Sequence, residues 1–313
     1  MVFDYYGEFI DQREIYNAAR AGGTALPDMA RAAQFSSLST TMGSRWPNSV
    51  VTGYTNRDLG YAGFFYASTT PWLEEMKQIL AMGYPVIVLV YWMPGTYSGD
   101  HYRVVVGYDD AEGVLLINDG WSREFKSDHD YQGSTSQSSS ENAWDADFVP
   151  LKWTYEDFLD TWTCDTGNWG VPGLMYGGVF CVPWDVDIVV PSTVLAGEKF
   201  TVEATITYPC VSPFGSEAFP TFTADAFDAV LSVETGMNVC KAPDTSAIGT
   251  FVAGQSVTLK WEMCACKNPG TYEFDLTASG LVSGSLGAWK DYAAYDYTDL
   301  IGGTASGLVT ITA

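Results

Sequence analysis

The spacing of apolar positions divides the chain into a helical stretch, a run of strands and a long all-β remainder. Over residues 1–82 the pattern reads as mostly helical. FDYYGEFI opens it, QREIYNAARAGG carries an apolar stripe closed by a glycine pair, and LPDMARAAQF has a proline in its first turn. TTPWLEEMKQILAMG is the clearest helix, with Thr70 expected as its cap, Pro71 at the first position, acids early and a glycine stop. The character then changes. PVIVLVYW, HYRVVVGY and GVLLIND are β-branched runs of strand length, and the DDAEG between the last two is a hairpin signal. KWTYEDFLDTW reads as a helix capped by Thr154, and YGGVFCVPW as a closing strand.

Between Trp121 and Pro150 a polar stretch shows no period, and a loop of that length inside a compact domain is usually functional or flexible. After Trp184 the pattern is wholly β: short alternating runs such as KFTVEATIT, DAVLSVETG, SVTLKWEM and GTYEFDLTASG are spaced by turns. That spacing predicts an immunoglobulin-like β-sandwich. The expected architecture is an α+β domain over 1–183, a linker at 184–187 and an all-β sandwich over 188–313.

Charge narrows the partners. The net charge is −23 with 38 acidic and 15 basic residues, and the part beyond residue 184 contains no arginine. Such a field repels phosphate backbones and anionic lipid, so nucleic acid is not an expected partner. ILAMGYPVIVLVYWM is the most apolar segment, but Gly83 and Pro85 divide it, so no membrane insertion is expected. No signal peptide is visible in the opening MVFDYYGEF, which lacks a basic n-region and a cleavage site.

Cysteines suggest the compartment. Cys164, Cys181, Cys210, Cys240, Cys264 and Cys266 form an even set in an acidic chain, which predicts disulfides and an extracellular or cell-surface location. The expected pairing is Cys164 with Cys181, and the other four among themselves. Cys264 and Cys266 are two apart, so on a strand they face one side and bond outward more naturally than to each other. A four-cysteine zinc site is the weaker alternative, because CxC lacks the usual knuckle spacing. Asp109, Asp110 and Glu112 offer oxygens for calcium, but a DDxEG turn needs its acids for turn geometry alone. No cofactor or metal is expected. The eleven tryptophans read as core and groove lining, and His129 as a solvated loop residue.

The chemistry centres on His101, at the start of one strand run, and Asp119, at the end of the next. An aspartate there can accept the ring's N–H, fix its tautomer and stabilise the imidazolium. HYRVVVGYDDAEGVLLINDGW resembles the His/Asp segment of the papain-like cysteine peptidases of family 39, which includes the bacteriocin-leader peptidases. LEEMKQILAMGYPVIVLV and LKWTYEDFLDTW are similar to the family's flanking elements, so the resemblance spans about 1–183. It implies a papain-like α+β fold, His101 as general base and Asp119 as its orienter.

The resemblance also implies a nucleophile that this sequence does not show. In the family it is a cysteine in a C-G-P turn, followed shortly by a segment like MVFDYYG, which here stands at residues 1–7. A thiolate needs a helix N-terminus and a neighbouring imidazolium, and the oxyanion needs donors beside it. The expectation is therefore a peptidase-like domain, silent as a pseudopeptidase, that takes a peptide or protein ligand or serves as a self-associating, filament-type subunit. The alternative is an active peptidase whose cysteine turn lies outside the sequence.

Overall fold

The computed structural model describes residues 1–7, 10, 15, 25–34, 57–95, 97, 99–119, 150–164, 175–210, 223–265, 267–286 and 295–313. The stretch 121–149 with His129, the helix expected over QREIYNAARAGG apart from Ile15, and Cys266 fall outside the described residues.

The first part is built on one six-stranded antiparallel sheet. Its strands are β1 (Ala62–Ser68), β2 (Val86–Tyr91), β3 (Asp100–Asp109), β4 (Val114–Asn118), β5 (Leu151–Thr154) and β6 (Met175–Val182), in the order β1-β6-β2-β3-β4-β5. Helix α1 is Val2–Tyr5, α2 Leu26–Gln34, α3 Leu73–Ala81 and α4 Tyr155–Thr161. At the start of α2, Ala25 N–H donates to Asp28 Oδ2 at 3.0 Å, half of a capping box. The helix is tied to the sheet by Gln34 Nε2, which donates to Gly63 O at 2.8 Å.

Two sequence expectations are corrected here. Within residues 1–82, expected to be mostly helical, Ala62–Ser68 is instead strand β1 at the edge of the sheet. GFFYA has no clean alternation, since its first residues are buried and later ones half-buried. The helix expected to begin at Thr70 begins at Leu73, with Trp72 at the N-cap and no side-chain cap. Thr70 Oγ1 instead lies 3.2 Å from Ser68 Oγ. Trp72 sets the boundary because its ring is buried: Nε1 donates to Tyr176 O at 2.7 Å, and the indole packs on Trp162 and Phe180. Gly178 makes room for it, since a Cβ there would lie 2.8 Å from the ring. At α4 the expected cap holds, with Thr154 Oγ1 accepting from Asp157 N–H at 3.1 Å.

The remainder is β throughout: β7 (Asp185–Val189), β8 (Thr193–Leu195), β9 (Lys199–Thr207), β10 (Asp225–Val233), β11 (Asn238–Lys241), β12 (Ser256–Cys264), β13 (Gly270–Leu286) and β14 (Tyr295–Thr312). They form two four-stranded sheets, β10-β13-β14-β8 and β11-β12-β9-β7. Alternate residues point inward, Phe200, Val202, Ala204 and Ile206 from one sheet and Phe274, Leu276 and Ala278 from the other. The rings of Phe200 and Phe274 meet edge to face at 6.0 Å across the gap.

The expected linker at 184–187 is not an open connector. Trp184 is buried against Tyr208, Phe227 and Phe251, and β7 begins at Asp185. The β13–β14 pair reaches back to the first part, where Gly60 N–H donates to Leu300 O at 2.8 Å and Gly302 N–H to Gly60 O at 3.1 Å. Gly60 is needed there, because an added Cβ would run into the carbonyl of Gln34. Beside it Arg31 on α2 pairs with Asp299 on β14 at 4.0 Å, both side chains fully buried.

The cysteine expectation is partly overturned. Cys240 and Cys264 form a disulfide joining β11 to β12, which removes two ligands from any four-cysteine zinc site. Cys164 and Cys181 are thiols, not bonded to each other, and Cys210 is a partly buried thiol. Cys181 sits in β6 with Sγ donating to Ala33 O at 3.4 Å, while Cys164 Sγ donates to Asp100 Oδ1 at 3.0 Å. No helix among the described residues is long and apolar enough to cross a membrane.

Candidate functional site: a His–Asp–Arg cluster on one sheet face

His101 and Arg103 are alternate residues of β3 and so share a face of the sheet. Beside them β2 pairs Val90 with His101 and Val88 with Arg103. Asp119 follows β4, and its placement depends on one irregularity. From the turn the β3–β4 register runs Asp109 to Val114, Tyr108 to Leu115 and Gly107 to Leu116, then skips Val106 and resumes with Val105 opposite Ile117. Continued past Val104 and Asn118, that register sets Asp119 opposite Arg103, on the same face as His101. Without the bulge Asp119 would stand opposite Val104 and face the other way, because a slip of one residue exchanges the faces.

The contacts follow from this placement. His101 Nε2 lies 2.9 Å from Asp119 Oδ1. A carboxylate only accepts, so the Nε2 carries the proton and Nδ1 is the basic atom of a neutral ring. Asp119 Oδ2 accepts from Arg103 Nε at 2.8 Å. The same guanidinium donates to Trp92 O at 2.7 Å and Tyr91 O at 3.3 Å. Trp92 in turn sets its ring edge to face on the imidazole, 4.6 Å between centroids. The side chains of Asp119 and Arg103 are 1% and 0% exposed and that of His101 is 11% exposed, so the imidazole alone keeps a route to solvent. Burial pulls the Arg103 guanidinium below its ordinary value, and the charge of Asp119 and its hydrogen bond work against that.

The cluster can hold a basic imidazole in one orientation next to a sealed carboxylate. The sequence expectation named His101 and Asp119, and the structure brings them together. Arg103 was missed. The available signal was a charge directly before three valines, at the same-face spacing as His101. Of the thiols, Cys164 donates to the carboxylate of Asp100, a bond that needs the proton to stay on sulfur. Cys181 is pushed up to about 12, chiefly by burial, and is an inert thiol. Neither is in the state of an activated nucleophile.

The turn acids do not gather around a cation. Asp109 Oδ1 accepts from the backbone of Ala111 and Glu112, which closes the turn. Asp110 binds Lys77 at 2.6 Å and the Tyr155 hydroxyl at 2.7 Å, and Glu112 binds Lys152. Among the described residues no group of three or more His, Cys, Asp or Glu is placed to hold a metal.

Comparison with known proteins agrees with this geometry at a coarse level. Residues 1–147 match the family model described as "Peptidase_C39 like family", a span that includes α1–α3, β1–β4 and all three residues of the cluster. Residues 1–147 are thus similar to a C39-like peptidase domain. No curated protein matches. Among solved structures, a crystal structure of a Salmonella alpha-2-macroglobulin mutant is 12% identical at a TM-score of 0.27, over 46% of this chain and 8% of that chain. That likeness is too slight to bear on fold or function.

Proposed function

We propose that the first part is a papain-like peptidase-type domain in which His101 is the base and Asp119 its orienter, and that the chain uses this site to hold a peptide or protein ligand without cleaving it. The observation that carries the reading is the 2.9 Å contact between His101 Nε2 and Asp119 Oδ1, within the span that matches the peptidase family. Binding is favoured over cleavage because Asp119 is shared with a buried Arg103, and the thiols of Cys164 and Cys181 are hydrogen-bonded to Asp100 and to a backbone carbonyl. A carboxylate partly neutralised by a guanidinium gives less support to an imidazolium, the state an activating base must pass through. The β remainder, read as an immunoglobulin-like sandwich, acts as an accessory or self-association module. An extracellular or cell-surface setting is supported by the Cys240–Cys264 disulfide and the charge of −23.

The second reading is an active cysteine peptidase with a thiol from outside the described residues, and the His–Asp geometry is compatible with it. A thiol-directed peptidase probe separates the two, with intact mass recorded before and after. The binding reading expects no covalent adduct that depends on His101. An adduct on the native protein that disappears in His101→Ala would establish the peptidase.

A further inference from the structure

Arg103 is a guanidinium buried within an apolar strand, and filling the core does not account for it. Valine or methionine would fit a buried strand position without the cost of desolvating a charge. Its donors reach two separate supports of the imidazole. Nε donates to Oδ2 of Asp119, the oxygen not facing the imidazole, and the Nη atoms grip the carbonyls of Tyr91 and Trp92 at the end of β2. The guanidinium also lies over the Trp153 ring of β5 at 4.6 Å, so four strands of the sheet converge on it.

We propose that Arg103 is the positioning residue of His101: it locks the carboxylate of Asp119 and the main chain that carries Trp92, and thereby holds the imidazole as a single Nε2–H tautomer. The inference rests on reading His101 and Asp119 as the functional pair. The torsion of a carboxylate's terminal group is broad, so its plane is set by the donors that reach its two oxygens. A second donor on the other oxygen fixes the plane of the group, and with it the 2.9 Å contact to Nε2. Lysine could supply the charge but not the fork of Nε and Nη donors that spans Asp119 and Trp92 at once.

Imidazole ¹⁵N spectroscopy tests this on the intact chain. The protein has only two histidines, so His129 serves as an internal reference and His129→Asn completes the assignment. At alkaline pH the wild type should show His101 as one tautomer, with Nδ1 unprotonated. In Arg103→Met, with both proteins recorded at that alkaline pH so that protonation of the ring does not merge the signals, the two nitrogen shifts should move toward each other, toward an equal mixture of tautomers, with His129 unchanged and the circular dichroism native. Arg103→Lys should fall between. A folded Arg103→Met variant that keeps the single Nε2–H tautomer would overturn the proposal. Should that variant not fold, hydrogen exchange of the wild type decides: the Arg103 Nε–H must exchange slowly, in step with the His101 Nε2–H, and exchange at the rate of a surface arginine refutes the role. Peptide binding is read in neither arm. A locked tautomer in a protein that binds no peptide would therefore sink the functional reading and leave this assignment standing.

Discussion

Asp119 is the residue on which the site's stability turns. Asp119→Ala leaves a fully buried guanidinium without its carboxylate, which should cost about 3–5 kcal/mol. Urea denaturation checks this, and Asp119→Asn, which keeps one acceptor, should cost less. Cys181 supplies a test of burial. Its folded value of about 12 lies above that of an unfolded thiol, about 8.5. Its contribution is thus complete below the unfolded value and is lost as pH rises through about 12. Aromatic-disulfide titration at pH 8 should leave Cys181 unmodified in the native protein and reach it after denaturation. At this scale the sequence exposed His101 and Asp119, because a histidine and an aspartate framing two apolar runs are conspicuous. It hid Arg103, because a lone arginine in a strand reads as an outward face until the bulge at Val106 sets its partner.

Elements were legible where local chemistry fixes them. Thr154 caps α4 through Asp157, so Thr154→Ala should cost about 1 kcal/mol. Thr70 sits outside α3 and caps nothing, so Thr70→Ala should stay within about 0.5 kcal/mol in the same thermal or urea melts. The hairpin of β3 and β4 was readable from DDAEG, since Asp109 alone closes the turn. By contrast β1 is a continuous apolar run with glycines before and within it, and its strand nature comes from pairing with β6 across more than a hundred residues. The length of β13 and β14 was equally hidden. Their middle portions are rich in glycine, serine and alanine, and only pairing with each other makes them strands.

At the scale of the whole molecule the two parts are one packed body, more closely joined than a linker at 184–187 implied. The joint is made by the Phe64–Tyr208 ring contact, the backbone bonds of Gly60 with Leu300 and Gly302, and the buried Arg31–Asp299 pair. None of these was readable, because each is a meeting of residues far apart in the chain. Asp299→Ala should destabilise by about 3–5 kcal/mol, and a single unfolding transition should persist in calorimetry. Reducing the Cys240–Cys264 disulfide, which spans 24 residues, should cost about 3 kcal/mol, read as a lower denaturant midpoint. The role proposed for His101 and Asp119 is to hold peptide without cutting it. An unstructured peptide mixture titrated into the protein, with the imidazole signals followed and the recovered peptides weighed by mass spectrometry, tests that role. A saturable shift of the His101 signals is expected, with His129 unmoved and every peptide recovered at its original mass. His101 signals that stay fixed at millimolar peptide, or peptides recovered cleaved, would contradict it.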